Sequence, residues 1–371
     1  MRANGHDPTY KNGFDHSESK LAFIDPITWQ DKPIPERQWL VPDWIPMTTV
    51  TGIYGDGGIG KSLLAQQLLT ATSINKRWIG LPTKSVKAIG VFCEDPEKEL
   101  HIRQNDINDL YQCQFADLEH MRMLARFGED NLLMTFSGGV GSPTPFFGEL
   151  LDFAKNFGAE LVVIDTVADT FGGNENDRGQ VRQFVQNILG RMARELDGAV
   201  VALAHPSRSG MTTGTGDSGS TGWNNSFRSR AFFHSPKAKE DDDEPIDPLE
   251  RVLSRKKANY AVREEAIELR WRAGTFMRKD DSGIIGTIKR RTVERVFLDQ
   301  LAALQREGRH VSDNPRAGNY APTIFASRPD REGYSSSDLR RAMETLFASQ
   351  KLRMGEYKGS NRASYQEIVS C

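Results

Sequence analysis

The sequence predicts an α/β fold built on a largely parallel sheet, followed by a small C-terminal domain. Three observations point there. From Thr48 to about Trp271, short continuous apolar runs alternate with amphipathic stretches, the pattern of strands covered by helices on both faces. One run passes directly into a glycine-rich turn, Gly55-Asp56-Gly57-Gly58-Ile59-Gly60-Lys61-Ser62, that opens a helix. Another, Leu161-Val162-Val163-Ile164-Asp165, ends in a carboxylate about 100 residues after that turn.

Residues 1–20 are polar and read as a mobile lead-in. The segment 24–46 is punctuated by proline and carries Trp29, Trp39 and Trp44, so it should lie extended on a surface, over its own domain or a neighbouring subunit. Strands are expected at 48–54, 88–93, 160–165, 199–204, 230–233 and 265–271. Helices are expected at Lys61–Thr72, Glu97–Tyr111, Pro145–Phe157 and Asp177–Leu196. The acidic run 240–244, beside Pro245 and Pro248, reads as a solvated loop. Composition shifts after Lys289-Arg290-Arg291. Val293–Glu307 and Ser335–Ser349 have apolar residues at helical spacing, the second opened by a serine cap, and a strand-like tail follows. The expected organisation is a polar, extended segment at 1–45, an α/β domain at 46–288 and a winged-helix-like domain at 292–371.

A net charge of −2 gives no overall field toward nucleic acid or membrane, so any such binding has to come from local patches. With 26% charged and 9% aromatic residues the chain can build a sizeable core. Cys93, Cys113 and Cys371 have no paired spacing, which argues for a reducing compartment and against a structural zinc site. No apolar run reaches the roughly 18 residues of a membrane span, and the amino terminus has no signal-peptide core. The expectation is a soluble, cytoplasmic protein with no membrane partner.

The turn at 55–62 fits G-x-x-x-x-G-K-[ST] in full, between strand and helix as the motif requires. Glycines let consecutive backbone N–H groups turn inward around phosphate oxygens, and the helix N-terminus adds its dipole. Lys61 is placed to reach the β- and γ-phosphates of ATP and the Ser62 hydroxyl to ligate Mg²⁺, with Asp165 supporting the metal. Thr166 follows Asp165, so the water-activating Glu that AAA+ type ATPases usually place beside this Asp is missing. The run 88–93 ends in Glu94-Asp95 and supplies an alternative: Glu94 is the preferred base and Asp95 the other candidate. The run 199–204 ends in His205, a candidate γ-phosphate sensor, and leads into a Gly/Ser/Thr-rich stretch, 207–230, suited to a loop that orders on nucleic acid. Between Arg251 and Arg291 there are 12 Lys/Arg against 5 Asp/Glu, and from Arg306 to Arg362 11 against 7, so the last third is locally basic.

The order of GDGGIGKS, LVVIDT, ALAHPS, GSTGWNNSFRSR and KKANY resembles the RecA-like superfamily, and within it the plasmid RepA-type hexameric replicative helicases with their phage and prophage relatives, over residues 35–275. The resemblance implies a RecA-like P-loop core, ATP with Mg²⁺, a homo-hexameric ring and translocation on single-stranded DNA. It implies that Lys61 and Ser62 bind phosphate and metal, that Glu94 is the base, and that His205 couples the γ-phosphate to the DNA loop. Arg228 resembles the arginine contributed by an adjacent subunit, with Lys257 a second candidate. His205-Pro206 stands where some relatives have two histidines. The C-terminal domain goes beyond the minimal helicase and suits duplex DNA or a protein partner. The alternative from another class is an ATP-gated DNA-binding or recruitment protein, a loader or regulator, without unwinding; a strand-exchange recombinase fits less well.

Overall fold

Val50–Gly55, Leu161–Asp165 and Ala199–Ala204 are buried along their whole length in the computed structural model, which describes residues 23–205, 221–236, 247–260, 265–279, 282–329, 331–358 and 364–371. Their continuous apolar composition follows from that burial, since both sheet faces are covered. In chain order the elements are β1 (Trp39–Val41), β2 (Ile45–Pro46), β3 (Val50–Gly55), α1 (Lys61–Ser73), β4 (Ala88–Phe92), α2 (Glu97–Tyr111), β5 (Met121–Ala125), β6 (Met134–Ser137), β7 (Val140–Pro143), α3 (Pro145–Phe157) and β8 (Leu161–Asp165). There follow α4 (Val167–Thr170), β9 (Phe171–Gly172), α5 (Arg178–Phe184), a π turn (Val185–Leu189), α6 (Gly190–Glu195), β10 (Ala199–Ala204), α7 (Thr221–Ser226), β11 (Ser229–His234), β12 (Glu250–Ala258), β13 (Ala266–Arg272) and β14 (Thr275–Arg278). The chain closes with α8 (Ser282–Arg306), α9 (Ala321–Ala326), α10 (Ser336–Ala348), β15 (Leu352–Lys358) and β16 (Ser364–Ser370).

The main sheet has the order β14-β13-β12-β11-β3-β10-β8-β4-β5. From β5 to β11 the strands are parallel, and β12, β13 and β14 continue antiparallel. This is the RecA-like arrangement, with the glycine-turn strand β3 one strand away from the Asp165 strand β8. Alternate residues of each strand face opposite layers. Ile53, Val163, Val201 and Leu203 pack toward α1 and α2, while Tyr54, Ile164, Val200 and Ala202 pack toward α3, α5 and α6.

Helix α1 is buried on all sides except at Ser62, so its polar residues need protein partners. Gln67 pairs with the backbone of Phe276 on β14, donating to its carbonyl at 2.9 Å and accepting from its N–H at 2.8 Å. Gln66 donates to Gln104 Oε1 of α2 at 2.9 Å, and Gln104 donates to Thr70 Oγ1 at 3.0 Å. The glycine-turn helix is thereby tied to the elements on both sides of it.

The sequence expectation differs from the structure in several places. Leu40, Val41, Trp44 and Ile45 belong to the core, and Arg255 lies over the Trp44 ring, so the main unit starts at Gln38 rather than at 46. Residues up to Arg37 form a separate unit whose described part contains one 3-10 turn, Pro26–Trp29, capped by Asp25. The stretch 207–230 is not loop throughout: α7 occupies Thr221–Ser226, and Trp223 packs on Phe171 and Phe184 in the core. The expected lead-in, the first part of that stretch (207–220) and the acidic run 240–244 lie outside the described residues. Helix α8 begins at Ser282, so Lys289-Arg290-Arg291 falls within a helix. Helices α8, α9 and α10 and the β15–β16 hairpin surround their own core, in which Phe297 and Phe325 meet edge to face at 4.8 Å. This core stays within the same contact unit as the sheet. Among the described residues no helix is long and apolar enough to cross a membrane.

Candidate functional site

The carboxyl ends of β4, β8, β10 and β3 lie side by side, where open parallel sheets bind ligands. At the end of β3, packing dictates two glycines of the turn. A Cβ at Gly55 would stand 2.6 Å from the Phe233 carbonyl oxygen. One at Gly60 would stand 2.6 Å from the Phe276 ring, and Gly60 also has a left-handed φ of +102°. Gly57 and Gly58 face open space on the other side, leaving room for a phosphate chain.

Lys61 opens α1 and is buried. Its ammonium donates to the carbonyls of Gly55 at 2.8 Å and Asp56 at 3.0 Å, and lies 3.4 Å from His205 Nδ1. Burial holds its pKa below the ordinary lysine value, with Asp165, Glu94 and Asp56 opposing. Asp165 is wholly buried, and among the described residues its carboxylate is approached by the Ser62 hydroxyl and has no other hydrogen-bond partner. Burial raises its pKa to about 7, with Glu94 and Asp95 adding to the rise and Ser62 and Lys61 opposing it. The neighbouring Cys93 thiol is pushed up to about 12, chiefly by burial, and is therefore not a nucleophile at neutral pH.

Glu94 and Asp95, adjacent in sequence, have different surroundings. Asp95 is held by Arg103 of α2 in a two-pronged ion pair at 2.5 and 3.1 Å. Glu94 leaves the end of β4 with a half-exposed side chain and approaches His205 Nε2 at 4.0 Å. With Lys61 donating to Nδ1, the His205 proton sits on Nε2 and faces Glu94. Burial and then Lys61 lower the His205 pKa, so this ring is neutral at pH 7. Lys61, Glu94, Asp165 and His205 therefore meet at four adjacent strand ends, and Ser62 joins them at the start of α1.

Arg228 and Lys257 lie elsewhere. Exposed Arg228 precedes β11 and donates its N–H to Val50 O, at the opposite end of β3 from Gly55. Five strand residues separate these levels, about 17 Å, so Arg228 cannot reach its own glycine turn. Lys257 of β12 donates to the carbonyls of Asn224 at 2.8 Å and Asn225 at 3.3 Å, closing the end of α7. Sequence reading missed two cations of this region. Arg103 holds Asp95, and Arg251 Nε donates to Ile59 O of the turn at 3.2 Å. Neither belongs to a motif; a charge eight residues after an acid, on a predicted helix, is the sole signal for Arg103.

The Asp165 environment has a measurable consequence. Because its folded pKa lies above the unfolded value of 3.8, burial costs stability as pH rises from about 4 to about 7, by roughly 4 kcal/mol in total. Asp165→Asn removes this cost. In the presence of a chelator, its melting temperature should exceed that of the parent by a margin that widens with pH over this range and is constant above it.

Residues 16–211, more than half of the chain, match the model of the family described as AAA domain (AAA_25). No curated protein matches the chain. Solved structures that resemble it include a KaiC-like protein from Pyrococcus horikoshii, at 14% identity, TM-score 0.43, covering 66% of this chain and 99% of that one. Another is the RadB recombinase, at 14% identity, TM-score 0.44, covering 64% of this chain and 93% of that one. The sequence departs from the AAA+ pattern in placing Thr166 after Asp165, and its acidic pair stands at the end of β4 instead. The family model spans the glycine turn, both acidic strand ends and His205, and the chain belongs to the AAA domain family.

Proposed function

We propose that this chain hydrolyses ATP as a DNA-dependent motor of the RepA-type replicative helicase kind, working as a homo-hexameric ring on single-stranded DNA. The convergence of Lys61, Asp165, Glu94 and His205 at four neighbouring strand ends carries this reading. Lys61 leaves the carbonyls of Gly55 and Asp56 for the β- and γ-phosphates, and the N–H groups of the turn cradle the same oxygens. Buried Asp165, approached by the Ser62 hydroxyl and by no other hydrogen-bond partner among the described residues, fits Mg²⁺ together with that hydroxyl, since the ion takes oxygen ligands and keeps much of its water. When bound, Mg²⁺ would neutralise charge developing between the β- and γ-phosphates. Glu94 accepts a proton from the water whose oxygen attacks the γ-phosphorus, as the bond to the ADP oxygen breaks. Neutral His205, between Lys61 and Glu94, registers the loss of the γ-phosphate and passes it to the segment 207–220, whose Gly/Ser/Thr-rich composition suits contact with DNA.

Arg228, out of reach of its own glycine turn, acts on the site of an adjacent subunit, and Lys257, engaged with α7, is the second candidate. The elements α8–β16 act as a winged-helix-like domain for duplex DNA or a protein partner. The basic excess of the last third contributes less to DNA than its count suggests. Arg255, Arg270, Lys279, Arg295 and Arg328 are all ion-paired. ATP hydrolysis with and without single-stranded DNA tests the reading. DNA should raise turnover, and its binding should weaken steeply from 50 to 200 mM salt as counterion release becomes less favourable. Turnover indifferent to every nucleic acid tested would contradict a DNA-dependent motor.

A further inference from the structure

The turn from β4 into α2 contains two adjacent carboxylates, and the structure treats them differently. Asp95 is mostly buried and takes both prongs of the Arg103 guanidinium, at 2.5 and 3.1 Å. The same guanidinium reaches Glu99 through Nε at 2.9 Å, one turn along α2. A planar, two-pronged ion pair fixes direction as well as distance, which a lysine cannot do. Arg103 therefore closes the segment 95–103 on itself and holds the residue next to Glu94 in one orientation.

Helix α2 is itself registered against α1. Gln66 donates to both the Leu100 carbonyl and Gln104 Oε1 at 2.9 Å, and Gln104 donates on to Thr70 at 3.0 Å and Asn108 at 2.9 Å. Gln66, Gln104 and Thr70 are almost wholly buried, so the network has little room to shift. Lys61 begins α1, and Glu94 stands three residues before α2. The path from the phosphate-binding lysine to the Glu94 carboxylate thus runs through two helices locked by amides, and ends at the Arg103–Asp95 clamp.

We infer that Arg103 is a positioning residue for hydrolysis: by immobilising Asp95 it aims the Glu94 carboxylate at the water that attacks the γ-phosphate. This rests on the assignment of Glu94 as the base. It also gives Asp95 a task, as the anchor of the turn, that leaves it unavailable as a base. Misplacement of a reacting group by about 1 Å costs on the order of 10²-fold in rate, so loss of the clamp should lower kcat while the phosphate cradle stays intact.

The experiment compares Arg103→Ala, Arg103→Lys and Glu94→Gln in the full chain, measuring kcat, KM and the Kd of a fluorescent ATP analogue, with and without added guanidinium ion. Arg103→Ala should lose about 10- to 100-fold in kcat with KM and Kd within about twofold of the parent. Guanidinium ion should restore part of that loss in Arg103→Ala and nothing in Glu94→Gln. Arg103→Lys, which keeps the charge and loses the fork, should fall between and covers the case in which the alanine variant does not fold. Parent-like kcat in Arg103→Ala beside an inactive Glu94→Gln overturns the positioning role and leaves the base assignment standing. Parent-like turnover in Glu94→Gln overturns both. A fall in analogue affinity parallel to kcat in Arg103→Lys, without guanidinium rescue of Arg103→Ala, would show a merely structural role and overturn the inference.

Discussion

Glu94→Gln is expected to bind ATP as the parent does and to lose hydrolysis by about 10²- to 10⁴-fold, the range of a general base. The amide keeps the size and the approach to His205 but cannot take the proton of the attacking water. Asp165 offers no replacement, since it is wholly buried and, in the proposed reading, its carboxylate is given to the metal. Asp95 offers none either while Arg103 occupies both of its oxygens. Nucleotide binding should survive because the cradle rests on the glycine turn and Lys61, which Glu94 touches only through the field it exerts. Single-turnover hydrolysis together with titration of a fluorescent ATP analogue separates the two effects. Parent-rate turnover would move the base elsewhere.

Mixing two inactive variants should restore ATP turnover. Lys61→Ala removes the cation on the β- and γ-phosphates, and Arg228→Ala removes the one we assign to the neighbour's site. Each pure ring should lose about 10³-fold or more, the scale of an arginine finger for Arg228. In a mixed ring, some sites pair an intact glycine turn with an intact Arg228. The argument for sharing is geometric: Arg228 stands level with Val50, at the far end of the strand that carries the turn. ATPase activity regained in proportion to mixed contacts supports a shared site. Full activity of Arg228→Ala, or of a monomer, would remove it.

Much of this architecture is legible in the residues because the parallel strands are buried on both faces and read as unbroken apolar runs. Glu97–Tyr111 and Pro145–Phe157 emerge with the bounds their periodicity predicts. The antiparallel strands are harder to see. β12, with the sequence ERVLSRKKA, is fully buried only over its middle residues, and one of these is the charged Arg255, paired with Glu265 just before β13. The start of α8 is obscured because basic residues at 289–291 resemble a linker by composition. Trp44 reads as a surface aromatic among prolines, yet it lies under Arg255, more than 200 residues away. At the site, Lys61, Glu94, Asp165 and His205 are legible because each ends a strand or follows a glycine turn. The Arg103 clamp and the Gln66–Gln104 lock are not, since polar residues on a helix look solvent-facing until the partner helix is placed.

Strand displacement on a forked DNA duplex tests the central claim most directly. With ATP and Mg²⁺, the parent protein should release the labelled strand, and Glu94→Gln should hold the fork without releasing it. DNA that is bound in an ATP-dependent manner but never unwound, by a parent that hydrolyses ATP normally, would contradict the motor and leave an ATP-gated binding or recruitment protein.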